Sequence, residues 1–130
     1  MGDGRSGGAI LLVEGDPAEA ELLSRVLGPG VRIARDGPEA LAALGADPPR
    51  LVVTADRLPG PGGLDLLGRI RASAALRAVP VVLLTPSPDP ELVAEAYRLG
   101  VNSVVRKPIA FEDLRAALRQ VAAYWLERNV

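Results

Sequence analysis

The chain has no cysteine and no histidine. Without cysteine there is no disulfide framework and no thiolate nucleophile. Without histidine, imidazole metal sites, imidazole general bases and Ser-His-Asp triads are excluded. Lysine is nearly absent as well. The fifteen basic residues comprise fourteen arginines and one lysine, Lys107. A chain rich in Ala, Arg, Gly and Pro reads as the product of a GC-rich genome, where a retained lysine reads either as chance or as a residue with a task arginine does not fit. A net charge of −1 gives no electrostatic case for nucleic acid or an anionic membrane surface. No apolar run approaches the ~20 residues of a membrane span. The opening "MGDGRSGG" (1–8) has no apolar h-region, so it is not a signal peptide; it reads as a flexible leader. The expected location is the cytoplasm.

What is present is the composition of one soluble globular domain, expected over 9–130, with 48% hydrophobic and 24% charged residues in a chain of 130. Short apolar runs alternate with helical patterns. Strands are predicted at 9–13, 31–34, 51–55, 79–85 and 102–108. Helices are predicted at 16–28, 37–45, 63–72, 89–100 and 110–130, several opened by Asp or Pro and closed by Gly. Strand–helix alternation repeated five times means an α/β fold, a three-layer (βα)5 arrangement with a parallel sheet covered on both faces. The strands are apolar on both sides, as such a sheet requires.

Ligands of an open parallel sheet bind beyond the carboxyl ends of its strands. The residues at those ends are Glu14-Gly15-Asp16, Thr54-Ala55-Asp56, Thr85 and Arg106-Lys107-Pro108. The segments "ILLVEGDPAEAELL", "VRIARDGPEAL", "RLPGPGGLDLLGRIR", "VPVVLLT" and "LGVNSVVRKPIAFEDLRAAL" together resemble the receiver domain of bacterial two-component response regulators. They cover roughly residues 9 to 127, in order and at family spacing. The resemblance implies a flavodoxin-like sheet of order 2-1-3-4-5 and a phosphorelay signalling role rather than an enzyme. It also implies an aspartate acceptor ending the third strand, phosphorylated by a histidine kinase. Acids after the first strand help that aspartate hold Mg²⁺, and a Thr or Ser and a Lys contact the phosphoryl oxygens. In-line attack on phosphorus needs such cationic neutralisation.

Carried over residue by residue, Thr85 matches the hydroxyl, Lys107 the lysine and Glu14 the first paired acid. Gly15 falls on the second acid, the more direct metal ligand, and supplies no carboxylate. The acceptor stands four residues before the proline of the "LPG" turn, and four before Pro59 is Ala55. Asp56 is one residue late. Successive strand side chains point to opposite faces, so Asp56 is expected to point away from the pocket, over the neighbouring helix layer. A bulge would rescue it, but "TADRLPG" has no glycine in the strand to invite one. The aromatic switch position three residues before the lysine holds Val104. Ala55 and Val104 together point to a degenerate pseudo-receiver that works without phosphorylation. No metal is expected; Glu14 and Asp16 are weak candidates, and Mg²⁺ enters only if the acidic pocket functions.

Plainer roles stand beside these. Asp16 is a natural helix N-cap. Lys107 is expected to pair with Glu14 or Asp16. Gly60, Gly62 and Gly63 suit the turn. In the last helix Phe111, Leu114, Leu118, Val121 and Trp125 form a core stripe. The ending "AAYWLERN" resembles receivers that partner bacterial phytochromes, which implies a phytochrome-like kinase partner and a homodimer through the fourth helix, fifth strand and fifth helix. Tyr124, Trp125 and Leu126 are interface candidates, with Trp125 as a core cap the competing role. No output domain is expected. Two alternatives remain: a working receiver phosphorylated on Asp56, and a flavodoxin-like cofactor binder. The acidic first loop and the lack of a glycine-rich phosphate motif weigh against the latter.

Overall fold

The computed structural model describes residues 9–128; the leader expected at 1–8 and the last two residues lie outside them. Five strands are followed in turn by five helices: β1 (Ile10–Val13), α1 (Pro17–Leu27), β2 (Arg32–Ala34), α2 (Gly37–Ala46), β3 (Leu51–Ala55), α3 (Gly63–Ala72), β4 (Val81–Thr85), α4 (Pro90–Arg98), β5 (Ser103–Arg106) and α5 (Phe111–Ala123). All pairings are parallel and the strand order is β2-β1-β3-β4-β5.

Alternation along the strands divides the core in two. Leu11, Val13, Val52, Val81 and Leu83 pack with Ala40, Leu44, Leu66, Leu67, Ile70 and Ala96 under α2, α3 and α4. Ile10, Leu12, Leu51, Val53, Val82 and Leu84 pack with Leu23, Val26, Leu114 and Leu118 under α1 and α5. Each face buries its own apolar set, so a one-residue slip of any strand would exchange the two sets and is strongly disfavoured.

Local chemistry starts the helices where the sequence said it would. Asp16, Asp36 and Asp89 each accept a backbone N–H from the first turn of α1, α2 and α4. The Glu39 carboxylate returns to the Arg35 N–H, one residue before the N-cap, while its own N–H donates to Asp36. The expected helix over 110–130 is divided: α5 ends at Ala123, and Tyr124–Arg128 form a π-helical turn. The core stripe also loses its first member, because Phe111 is 45% exposed at the very start of α5.

Candidate functional site

β1, β3, β4 and β5 end along one edge of the sheet, and the loops after them carry the candidate residues. Glu14 follows β1 and is buried, with 7% exposure. Its Oε2 accepts the Asp16 N–H at 3.0 Å, and its own N–H donates to the Ala34 carbonyl at 2.9 Å. Asp16 turns to α1 and accepts the Ala18 N–H at 3.0 Å, the capping role its position implied. Both acids are thus engaged within their own loop.

Gly15 lies under Pro59 of the β3–α3 turn. A Cβ added at Gly15 would stand 2.5 Å from Pro59 Cδ, 2.9 Å from Cγ and 3.3 Å from the Arg35 carbonyl oxygen. No side chain enters that space unless the proline ring moves. The turn is held in place by two further glycines. Gly60 takes φ +74, a left-handed conformation suited to glycine. Gly63 brings the start of α3 against β3, where a Cβ would lie 2.3 Å from the Ala55 carbonyl oxygen.

Ala55 ends β3 on the α1/α5 side, continuing Leu51 and Val53. Asp56 falls on the other side, as its parity required. The expectation that it thereby leaves the candidate residues is corrected in one respect. Thr85 ends β4 in the register of Val81 and Leu83, on the same α3/α4 side. Its Oγ1 donates to Asp56 Oδ2 at 3.3 Å. Thr85 is buried and Asp56 half-buried. Parity therefore pairs these two and separates them from Ala55.

Lys107 corrects another expectation. Its ammonium pairs with Glu19 of the first turn of α1, not with Glu14 or Asp16. Its N–H donates to the Thr85 carbonyl at 2.8 Å, extending the β4–β5 ladder by one residue. Val104 faces Leu83 and packs against the α2–α4 side of the core, leaving no aromatic at that position. At the chain's end Trp125 and Leu126 pack against the α1/α5 core, while Tyr124 is half exposed and meets Trp125 edge-to-face at 4.9 Å and 80°.

The donor set does not suit a magnesium ion. Mg²⁺ requires near-octahedral oxygen ligands. Among the described residues no group of three or more carboxylates converges on a point. Gly15 has no room for a side chain, and Glu14 and Asp16 on either side of it each accept a backbone N–H.

Sequence patterning did not single out Glu19 or Arg71, and it used Pro59 only as the marker from which Ala55 was counted. Glu19 reads locally as one of several acids favoured by a helix start. Arg71 closes the opposite end of the sheet. Its guanidinium donates to the carbonyls of Gly100 (2.8 Å), Arg77 (3.2 Å) and Val79 (2.8 Å) and to Asn102 Oδ1 (2.8 Å). Partial burial lowers its pKa from the ordinary arginine value. No local pattern marks an arginine whose partners lie up to 31 residues away.

A parallel sheet of order 2-1-3-4-5 with a Thr and a Lys at the ends of β4 and β5 defines the response regulator receiver domain. The model of that family matches residues 10–119, and the chain belongs to it. Among curated relatives it is 41% identical to the probable methanogenesis regulatory protein FilR2 of Methanothrix harundinacea, covering 92% of this chain and 84% of that one. It is 32% identical to the response regulator Rcp1 of Synechocystis sp., covering 91% and 88%. The phosphorylated cyanobacterial phytochrome response regulator RcpA superposes with a TM-score of 0.84 at 27% identity, over 92% of this chain and 94% of that one. The Mn²⁺-bound form of Rcp1 gives 0.82 at 32% identity, over 91% and 94%.

Proposed function

We propose that this chain is a pseudo-receiver of a two-component phosphorelay, acting by protein binding or dimerisation without phosphorylation. The observation that carries the reading is the joint loss at the strand ends. Ala55 stands where the acceptor aspartate belongs, and Gly15, where the metal-ligating acid belongs, is packed against Pro59. Either change alone removes one function. Together they remove the nucleophile and the cation that would neutralise the phosphoryl oxygens.

The partner in this reading is a cytoplasmic histidine kinase or a phytochrome-like photoreceptor. The similarity to RcpA, a phytochrome response regulator, supports it. The second arm is a homodimer through α4, β5 and α5. Three of the large apolar side chains exposed among the described residues lie there: Tyr97 on α4, Ile109 just before α5 and Phe111 at its start. β5 is an edge strand, which leaves that side of the sheet open to a partner.

A specific contact favours one other reading. Thr85 donates to Asp56, so Asp56 has the hydroxyl that a phosphorylated carboxylate would use, and it could itself serve as acceptor. Intact mass after incubation with acetyl phosphate and Mg²⁺ separates the two, run beside Ala55→Asp and Asp56→Ala. The pseudo-receiver gives no adduct. A stoichiometric adduct lost in Asp56→Ala would establish the working receiver instead.

A further inference from the structure

Four ion pairs join side chains among the described residues. Three of them, Arg25–Glu21, Arg69–Asp65 and Arg98–Glu95, lie within one helix, and their side chains are 42–74% exposed. The fourth, Lys107–Glu19, joins two elements and is the least exposed, at 22% and 28%. It is made by the only lysine of the chain. We infer that Glu19 is the resident counter-ion of Lys107, tying the first turn of α1 to the β5–α5 junction in one ligand-independent arrangement. This rests on the reading that no phosphoryl group occupies the strand-end site.

The physical case has three parts. Lys107 is fixed at its backbone by the N–H donated to Thr85, so only its side chain is free to choose a partner. The two acids of the β1–α1 loop are turned to backbone N–H groups, Glu14 to that of Asp16 and Asp16 to that of Ala18. Glu19 is the first carboxylate beyond them on α1, and it meets the ammonium in a partly desolvated gap. A pair of that kind is screened less than a surface pair, and removing one partner leaves a poorly hydrated charge behind. A compact ammonium on a flexible stem fits such a single-point contact, whereas a guanidinium fork does not.

The neighbouring contacts act in the same sense. Pro59 covers Gly15 and joins the β1–α1 and β3–α3 loops. Thr85 binds Asp56 and joins the ends of β3 and β4. Glu19 completes the series by joining β5 to α1. Each functional group left at this edge is satisfied by another part of the same chain. Glu19 is therefore a positioning residue, which holds Lys107 and with it the junction into α5.

A single lysine makes the test direct, because peptide mass spectrometry after a brief pulse of an acetylating N-hydroxysuccinimide ester reads one side chain. In the intact protein Lys107 reacts slowly. Glu19→Gln raises its rate on the order of fivefold, the upper end of the range for surface pairs and so a lower bound for a partly buried one. Glu19→Asp keeps part of the protection, and Glu21→Gln, which breaks a surface pair on the same helix, leaves the rate unchanged. An unchanged rate in Glu19→Gln overturns the inference. Should Glu19→Gln fail to fold, Lys107→Met is used, with hydrogen exchange of the first turn of α1 as the readout. Faster exchange there supports the tie and unchanged exchange overturns it. The acetyl phosphate experiment on the parent chain tests the underlying reading separately. An adduct sinks that reading, whereas an unchanged amine rate without an adduct sinks only the ion pair.

Discussion

Gly15 and Gly63 are the positions where a single methyl group would be felt most. At Gly63 an added Cβ meets the backbone carbonyl of Ala55, which is part of the sheet and does not move aside. Gly63→Ala is expected to destabilise by about 2–4 kcal/mol, as overpacking against backbone does. The urea midpoint reads it, with the m-value unchanged. At Gly15 the obstacle is the Pro59 ring, which sits on an exposed turn. Gly15→Ala is expected to cost less, about 1–2 kcal/mol, and Pro59→Ala in the same chain should recover most of it. The comparison matters for function. If the double variant showed no recovery, Pro59 would not be what closes the space at Gly15.

Arg71 belongs to an element-level arrangement. It stands in the last turn of α3 and gathers the α3–β4 segment and the α4–β5 turn around one guanidinium. Asn102 is shared, since its Oδ1 also accepts the Val81 N–H at 2.7 Å. Truncation would leave several carbonyls without their donor. Arg71→Ala is expected to destabilise by about 2–4 kcal/mol, and Arg71→Lys to recover little because an ammonium cannot span the same fork. Chemical denaturation of both variants checks this. α4 carries a weaker device. Arg98 holds the Glu95 carboxyl below its usual range through a hydrogen bond on an exposed face. A depressed carboxyl stabilises above its unfolded pKa and loses that contribution as pH falls through the folded one. The small stability it adds is therefore lost only under acid conditions, below the ordinary glutamate range.

For the molecule as a whole, the two-cluster core leaves a few large apolar side chains exposed among the described residues. Ile109 is fully exposed, and Tyr97 and Phe111 are about half exposed. Scattered exposed apolar residues are ordinary, but three on the elements that flank the edge strand β5 suit an interface. If the proposed homodimer forms there, sedimentation equilibrium gives a dimer mass at micromolar concentration, and Ile109→Glu shifts it to monomer without changing the thermal midpoint by more than about 1–2 °C, as a surface change should. A monomer at all concentrations would leave the partner-binding arm alone. Among the described residues no helix is long and apolar enough to cross a membrane, so this face is not a bilayer contact made by a spanning helix.

Periodicity and capping chemistry are short-range, and they sufficed for the five strands, the five helices and the caps at Asp16 and Asp89. The motif order sufficed for the family, and the proposal that Ala55 and Gly15 stand in place of acids rests on it. Strand parity sufficed to separate Asp56 from Ala55. What it could not supply was the neighbour. That Thr85 faces Asp56 depends on the register between β3 and β4. That Lys107 chooses Glu19 depends on how α1 packs against the junction into α5. That Pro59 fills the space above Gly15 depends on where the β3–α3 turn comes to rest. The break at Ala123 and the exposure of Phe111 likewise are not marked by the periodicity of the last helix. Local sequence specifies which elements form and which face they bury. Contacts between loops at the sheet edge arise only when the elements are docked, because their partners are distant in the chain and no pattern along it encodes the distance.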